Sequence, residues 1–436
     1  MRFSGLDGKS IAIWGTGRET TAFRIQLEQR LPATEIAAVI DDDTPRDYVH
    51  SVLQGVDVLV RSPGVSIYKR VIQQAISDEV TVTTPTGLWL AERQGKRVIG
   101  VTGTKGKSTT ATVIAQLLQA TTEVELAGNI GRAVIDLLDL PEKTWVVLEL
   151  SSYQLADLAE GPEVAVITNL YREHTDWHGS EQQYRADKLR IFALPGTKAG
   201  VYPLGDSEIE LAALKLKTTV TFDDPSSWHL TQAGIERGDA LVLRRDEIPL
   251  RGEHNALNVA TALAAVEAAG LDRPELPAAL TGLQPLPHRL QTVHITANGT
   301  EWVDDSISTT PESTIAALES FPERPVVLIA GGQDRGQDHG QLAEVIAKRR
   351  APTTLITLPD TGAGLAEAVR AHAHAETRMS TAGDMRDATK QAAALAQAGG
   401  VVLLSPAAPS YNAYKNFEQR GDAFAEFARR AVAARF

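Results

Sequence analysis

The sequence predicts an α/β fold in three successive units, each a sheet with helices packed between its strands. Three observations predict it. Residues 97–120, RVIGVTGTKGKSTTATVIAQLLQA, read as a strand, a glycine loop and a helix. Residues 1–95 follow a β-α-β-α-β rhythm. From residue 289 to 436 strands and helices alternate again, with polar residues gathered where the strands end.

The middle unit, 96–288, carries the clearest chemistry. Val98, Ile99 and Val101 enter a loop with Gly103, Thr104 and Gly106, which ends in Lys107-Ser108-Thr109. Val113, Ile114, Leu117 and Leu118 then share one helical face. Glycines let backbone N–H groups wrap phosphates, and the helix N-terminus adds positive potential. In such a loop Lys107 reaches the β- and γ-phosphates of ATP and Ser108 holds Mg2+. The unit is therefore of the P-loop ATPase type. Its spacing departs from GxxxxGK[ST], because Val101 stands where the first glycine belongs and Gly100 lies one place away.

Further along, Trp145–Leu148 reads as a buried strand ending in Glu149. A carboxylate at that end of a parallel strand is placed to hold Mg2+; a surface glutamate is the plainer alternative. Val164–Thr168 is the next strand, followed by Asn169-Leu170-Tyr171-Arg172-Glu173-His174-Thr175-Asp176-Trp177-His178. Its histidines and carboxylates suit either a metal or a polar loop. A helix over Glu181–Phe192 carries Lys188 in a setting that usually means a solvated charged face. Residues 196–250 read as β-rich. Asn255 and Asn258 precede or open an alanine-rich helix, Ala256–Ala269, and read locally as helix caps. Pro285-Leu286-Pro287-His288-Arg289 is a stiff junction and the second domain boundary.

In the first unit Ser10–Trp14, Ile36–Ile40 and Val56–Val60 read as strands of a Rossmann-like domain. The first runs into Gly15-Thr16-Gly17, which lacks the third glycine of a dinucleotide fingerprint. The third runs into Arg61-Ser62-Pro63-Gly64. The last unit, again Rossmann-like, has strands at Glu301–Val303, Val326–Ile329, Thr354–Thr357 and Val401–Leu404. Their ends carry Asp304-Asp305-Ser306, Gly331-Gly332-Gln333-Asp334-Arg335 and Ser405-Pro406.

Composition narrows the function. The chain has 436 residues, 43% of them hydrophobic, and a net charge of −12. That charge argues against general nucleic-acid or anionic-membrane binding. The absence of cysteine excludes disulfides, thiolate zinc sites and thiol nucleophiles. The first residues, MRFSGLDGKSIAIWG, lack an apolar signal core, and no apolar run reaches membrane-spanning length. A cytoplasmic protein with no membrane insertion is expected.

The motifs form an ordered set: G-T-K-G-K-S-T, L-E-L-S-S-Y-Q, E-H-x-D-W-H-G, Y-R-A-D-K, G-x-H-N-x-x-N, P-H-R, D-D-S and S-P-A-A-P-S. Over essentially the whole chain this resembles the Mur ligases of bacterial cell-wall synthesis, specifically those that add glutamate to UDP-N-acetylmuramoyl-L-alanine. The family uses a G-T-x-G-K-[ST] loop, which accounts for the shifted spacing. The resemblance implies three domains: UDP-sugar-binding, 1–95; ATP-binding, 96–288; amino-acid-binding, 289–436. It implies catalytic roles for Lys107, His174 and Lys188. ATP would be bound by Gly103, Thr104, Gly106, Lys107, Ser108 and Thr109, with Asn255 at the adenine, Arg289 at a phosphate and Asp305 at the ribose. Two Mg2+ ions would be held by Ser108, Glu149, His174 and a carbamylated Lys188. Gly15, Thr16, Gly17, Ser62, Gly64 and Asn129 fall where the UDP-sugar lies, and Thr309, Arg335, Ser410 and Phe417 where glutamate lies. A monomer is implied.

Two positions depart from the D-glutamate-adding pattern. Ile307 stands in place of a lysine that helps bind the amino acid, and Arg335 in place of another. Arginine offers a planar fork where lysine is a point charge, so the second exchange is not conservative. D-S-I-S-T-T-P, G-G-x-D-R-G and S-P-x-A-P-S resemble a variant subfamily adding L-glutamate, which works with a downstream epimerase. Lys415-Asn416-Phe417-Glu418-Gln419-Arg420-Gly421 instead looks like the D-glutamate enzymes. L-glutamate is the expected substrate and D-glutamate the alternative. Other rivals are a folyl- or polyglutamyl-type ligase, a non-catalytic nucleotide-binding paralogue and, from Gly15–Gly17 alone, a dehydrogenase.

Overall fold

The computed structural model describes every residue except 42, 172–174, 273, 284–285, 373–376 and 434–436, together with the side chains of 175 and 433. The chain divides into two compact units. One is Met1–Pro249 with Asn255–Leu283; the other is Leu250–His254 with Gln284–Phe436.

The first unit contains two sheets. β1 (Ser10–Trp14), β2 (Glu35–Ile40), β3 (Val58–Arg61) and β4 (Thr81–Thr83) form a parallel sheet in the order β2-β1-β3-β4. The larger sheet comprises β5 (Val98–Thr102), β6 (Val124–Gly128), β7 (Trp145–Glu149), β8 (Val164–Ile167), β9 (Ala199–Pro203), β10 (Thr218–Phe222), β11 (Trp228–Leu230), β12 (Gly234–Arg237) and β13 (Ala240–Arg244). Its order is β13-β12-β11-β10-β9-β8-β5-β7-β6, parallel except for the β11–β12–β13 meander at one edge. β5 sits between β7 and β8 with every residue buried. That burial explains its unbroken apolar, β-branched run: helices cover both faces of a parallel sheet. Each Val or Ile fully buried there contributes about 1.5–3 kcal/mol.

Within this unit the two sheets are joined through buried polar side chains. Arg61, at the end of β3, is fully buried and donates to Asp157 Oδ2 at 2.9 Å, Val65 O at 2.8 Å and Tyr153 O at 3.0 Å. Glu19 accepts from Thr86 Oγ1 at 2.8 Å and from Gln154 Nε2 at 2.7 Å. Burial pushes the Glu19 carboxyl above its ordinary range.

The second unit holds β14 (Gln291–Ile295), β15 (Glu301–Asp304), β16 (Val326–Gly332), β17 (Thr353–Asp360), β18 (Met379–Thr381) and β19 (Val401–Leu404), in the order β14-β15-β19-β16-β17-β18. Only the β14–β15 pair in this sheet is antiparallel. Its interior lies between the sheet and its helices, around Val303, Leu328, Leu355 and Leu403 on one face and Trp302, Ile329, Ile356 and Phe424 on the other.

Strands escaped the sequence pattern mainly where burial is incomplete. β4, β6, β14 and β18 lack a continuous buried run, and all four are sheet edges. The stretch 196–250 is β-rich as expected, but Ser207–Ala213 is a helix. The alanine-rich helix starts at Glu253, earlier than its apolar pattern suggested. Asn255 and Asn258 therefore lie inside its first turns, and the cap reading is corrected.

Candidate active site

β5 ends at Thr102 and the glycine loop leads into the helix Lys107–Gln119, with Gly106 as its N-cap at φ +82°. Positive φ favours glycine, and a Cβ at Gly106 would collide with the Asn258 amide. Neighbouring elements grip the loop from outside. Thr168 Oγ1 donates to Lys105 O at 2.6 Å, and the Asn169 side chain accepts from Lys105 N at 2.8 Å. Thr104 Oγ1 lies 2.8 Å from the Tyr184 hydroxyl. Asn258 Oδ1 accepts from Thr110 Oγ1 at 3.3 Å, and Asn258 Nδ2 donates to Asn255 Oδ1 at 3.3 Å. Lys107 curls back and donates to Thr104 O at 2.8 Å. Ser108 is half-buried and Thr109 buried on the same first turn.

The expected metal residues converge on this loop as far as they are described. Glu149 ends β7, beside β5, and is 1% exposed, so the surface-glutamate alternative fails. Its Oε1 accepts from Asn129 Nδ2 at 2.9 Å, while Oε2 is buried without a hydrogen-bond partner among the described residues. A buried carboxylate oxygen left this way is costly unless a cation meets it. The donor set therefore fits Mg2+. Among the described residues no cluster of three or more His, Asp or Glu side chains stands ready for a metal. Mg2+ commonly keeps waters and takes substrate phosphates alongside one or two carboxylates, so a sparse protein set suits it. Lys188 is 2% exposed, and its Nζ donates to Gly103 O at 2.7 Å and Thr102 Oγ1 at 3.2 Å. The solvated-face reading of its helix is thereby corrected for Asp187 and Lys188. His174 lies outside the described residues.

On the small sheet, Gly15, Gly17 and Ser62 meet at the ends of β1 and β3. Ser62 N donates to Trp14 O at 2.7 Å, and a Cβ on Gly15, at φ +96°, would reach the Ser62 side chain at 2.7 Å. Thr16 is exposed beside them, and Gly64 O accepts from Trp177 Nε1 at 3.0 Å. Arg18 links this corner to the other sheet by donating to Gly128 O and Asn129 O, both at 3.0 Å.

The second unit gathers the rest, apart from Asn255. Asp305 is buried, accepts from Ser405 Oγ at 2.8 Å and Leu290 N at 3.2 Å, and is pushed up to about 6 by burial. Arg289 lies close enough to oppose that rise, and also to add to the burial that holds His254 down at about 4. His288 Nδ1 is 2.7 Å from Asp304 Oδ2, which raises the His288 pKa. The buried Arg420, on the helix Phe417–Ala433, ties two loops together, donating to Ser306 O at 2.8 Å, Ser306 Oγ at 2.9 Å and Ala408 O at 2.9 Å. Ser306 Oγ in turn donates to Phe417 O at 2.8 Å. Ser410 is buried, Phe417, Ile307 and Thr309 are half-buried, and Arg335 is exposed with its guanidinium 5.6 Å from the Tyr411 ring centre.

Sequence comparison matches residues 101–266 to the Mur ligase middle domain and 288–408 to the Mur ligase glutamate ligase domain. The chain belongs to the Mur ligase family. It is 39% identical to a UDP-N-acetylmuramoyl-L-alanine–L-glutamate ligase of Xanthomonas euvesicatoria pv. vesicatoria, covering 98% of this chain and 97% of that one. It is 37% identical to the enzyme of the same name from Salinispora tropica, covering 98% and 99%. The fold matches the MurF ligase of Thermotoga maritima in complex with ADP, with a TM-score of 0.61, 16% identity and coverage of 99% and 97%. Family membership fits ATP binding and a ligase of peptidoglycan synthesis. Among the described residues no helix is long and apolar enough to cross a membrane.

Several positioning residues had no assigned role in the sequence reading. Thr168 ends a predicted strand and Asn169 follows it, and that place beside the P-loop was their only signal. Arg18 and Arg420 carry no local signal, since their partners are 110 or more residues away for Arg18 and 114 for the Ser306 contacts of Arg420.

Proposed function

We propose that this enzyme joins L-glutamate to UDP-N-acetylmuramoyl-L-alanine in peptidoglycan precursor synthesis, with ATP converted to ADP and phosphate. One observation carries the ligase reading: Glu149, with a buried oxygen that finds no partner among the described residues, ends the strand beside the P-loop strand, and the buried Lys188 reaches the same loop from the helix Glu181–Leu189. The γ-phosphoryl group passes to the acceptor carboxylate, ADP leaves, and an acyl phosphate forms. The glutamate amine attacks the acyl carbon and loses a proton, and the C–O bond to phosphate breaks. Lys107 and the loop N–H groups hold the phosphates and spread the developing charge. Ser108 and Glu149 would hold one Mg2+, and His174 with a carbamylated Lys188 a second, and these ions would supply further charge neutralisation. Carbamylation turns the lysine into an anion that hard cations favour. Asn255 takes the adenine, Asp305 the ribose and Arg289 a phosphate. Gly15, Thr16, Gly17, Ser62, Gly64 and Asn129 take the UDP-sugar; Thr309, Arg335, Ser410 and Phe417 take glutamate.

L-glutamate is supported by the names of the full-length relatives and by Ile307 and Arg335 in place of two lysines. An epimerase acting downstream follows from that choice, and a cytoplasmic monomer completes the proposal. D-glutamate is the second reading, favoured by Lys415–Gly421, whose Phe417 accepts from Ser306. Phosphate release from ATP with UDP-N-acetylmuramoyl-L-alanine, measured with L- and D-glutamate in parallel, tests it. Faster release with L-glutamate is expected; a preference for D-glutamate reverses the assignment.

A further inference from the structure

The first unit also holds a buried hydrogen-bonded chain that none of these steps uses. Ser152 Oγ lies 2.9 Å from His178 Nε2, and His178 Nδ1 lies 2.6 Å from Asp187 Oδ2. Tyr68 donates its hydroxyl to both Asp187 oxygens, at 2.7 and 2.8 Å, and Gln183 Nε2 donates to Oδ1 at 2.9 Å. Ser152, His178 and Asp187 are 2%, 3% and 1% exposed. The connectivity is that of a Ser-His-Asp triad. A hydroxyl sealed against the imidazole offers no approach to a substrate, so nucleophilic chemistry is not its use.

Its position suggests another. Asp187 and Lys188 are consecutive on the helix Glu181–Leu189, so their side chains diverge by about 100°. Asp187 meets Tyr68 and His178, while Lys188 meets Gly103 O and Thr102 Oγ1 of the P-loop strand. Tyr184, one turn earlier, meets Thr104. Tyr68 lies just past Ser62-Pro63-Gly64, and that segment is fastened to the same place. Ser66 Oγ donates to Trp177 O at 2.9 Å, and Trp177 stacks on Tyr153 with ring centres 4.4 Å apart.

We propose that Tyr68, His178 and Asp187 are positioning residues: they set the Lys188 helix against the P-loop and tie that setting to the sugar-side segment of the small sheet. The inference rests on the role proposed for Lys188. A side chain that carries chemistry is held by outer partners whose loss costs about 10–100-fold in activity.

The test is steady-state kinetics, corrected for folded fraction by thermal melting, on Asp187→Ala, Asp187→Asn, Tyr68→Phe, Lys188→Ala and the Asp187→Ala/Lys188→Ala double variant. Asp187→Ala should lower kcat about 10–100-fold with KM for ATP unchanged, and Asp187→Asn should recover part of the loss. Tyr68→Phe, which keeps the ring, should raise KM for UDP-N-acetylmuramoyl-L-alanine. The double variant should be no slower than Lys188→Ala alone, because residues acting as one unit are not additive. An inactive Lys188→Ala beside an Asp187→Ala or Tyr68→Phe of wild-type kinetics overturns this inference alone. Full turnover in Lys188→Ala overturns the lysine's role and the inference with it.

Discussion

Beside the P-loop two charged groups are sealed. Glu149 and Lys188 are 1% and 2% exposed and bonded to neighbouring strands and loops. On the side of the second unit proposed to take glutamate, Arg335 is exposed on a loop, bonded to Gln333 at 3.3 Å and resting near the Tyr411 ring. The difference teaches where each property of the reaction resides. Phosphoryl transfer needs donors fixed in advance, because reorganising them would consume the stabilisation they provide. Choice of amino acid needs only a difference between two bound forms, and exposed side chains can change at little cost to the fold. Ile307 and Arg335, half-buried and exposed, suit the role in that choice proposed for them.

The largest expected effect breaks the sealed side. Lys188→Ala should lower kcat by about 100-fold or more, with partial rescue by added short-chain carboxylic acids that restore an anion. Turnover like the wild type's would remove the carbamate. The next sharpens the contrast on the open side. Ile307→Lys with Arg335→Lys should shift the L-to-D ratio of kcat/KM toward D-glutamate by about tenfold, about 1.4 kcal/mol, with little change in melting temperature. An unchanged ratio would separate these residues from stereochemical choice.

A smaller effect concerns Asp305, a sealed carboxylate on the proposed ATP side of the second unit. Its folded value of about 6 lies above the ordinary 3.8, so the folded chain keeps a proton that the unfolded chain loses. Stability therefore falls as pH rises from 3.8 through about 6. Asp305→Asn should melt higher than the parent at pH 7 while KM for ATP rises; calorimetry and kinetics on one preparation decide both. The smallest effect is at His288, whose pKa is raised by Asp304. A raised histidine stabilises below 6.5, and the gain is lost as pH climbs through its folded value. His288→Gln should melt about 2–4 °C lower in acid, with the gap closing toward alkaline pH. A gap independent of pH would mean that the ion pair does not contribute.

Legibility in the sequence followed the range of the interaction. β1 and β19 were bounded correctly, and β5 and β7 to within a residue, because buried central strands are short, apolar and β-branched. The P-loop was readable because its strand, glycines, lysine and helix are contiguous. Glu149 was readable as the end of an apolar strand, though not its partnerless oxygen. The burial of Asp187 was not, because Tyr-Arg-Ala-Asp-Lys-Leu-Arg has the polarity of a surface. Only tertiary packing brings Tyr68, 119 residues away, onto that carboxylate.

The sequence alone determined the α/β class, the phosphate loop, the order of the motifs and the residues Ile307 and Arg335, all of which depend on residues close along the chain. The tertiary structure decided which polar groups are buried and what satisfies them. Arg61 closing on Asp157, Arg420 binding two loops and Lys188 turning inward are outcomes of long-range packing. A buried charge persists only where the fold supplies its partners, and distant partners leave no pattern in the neighbouring residues.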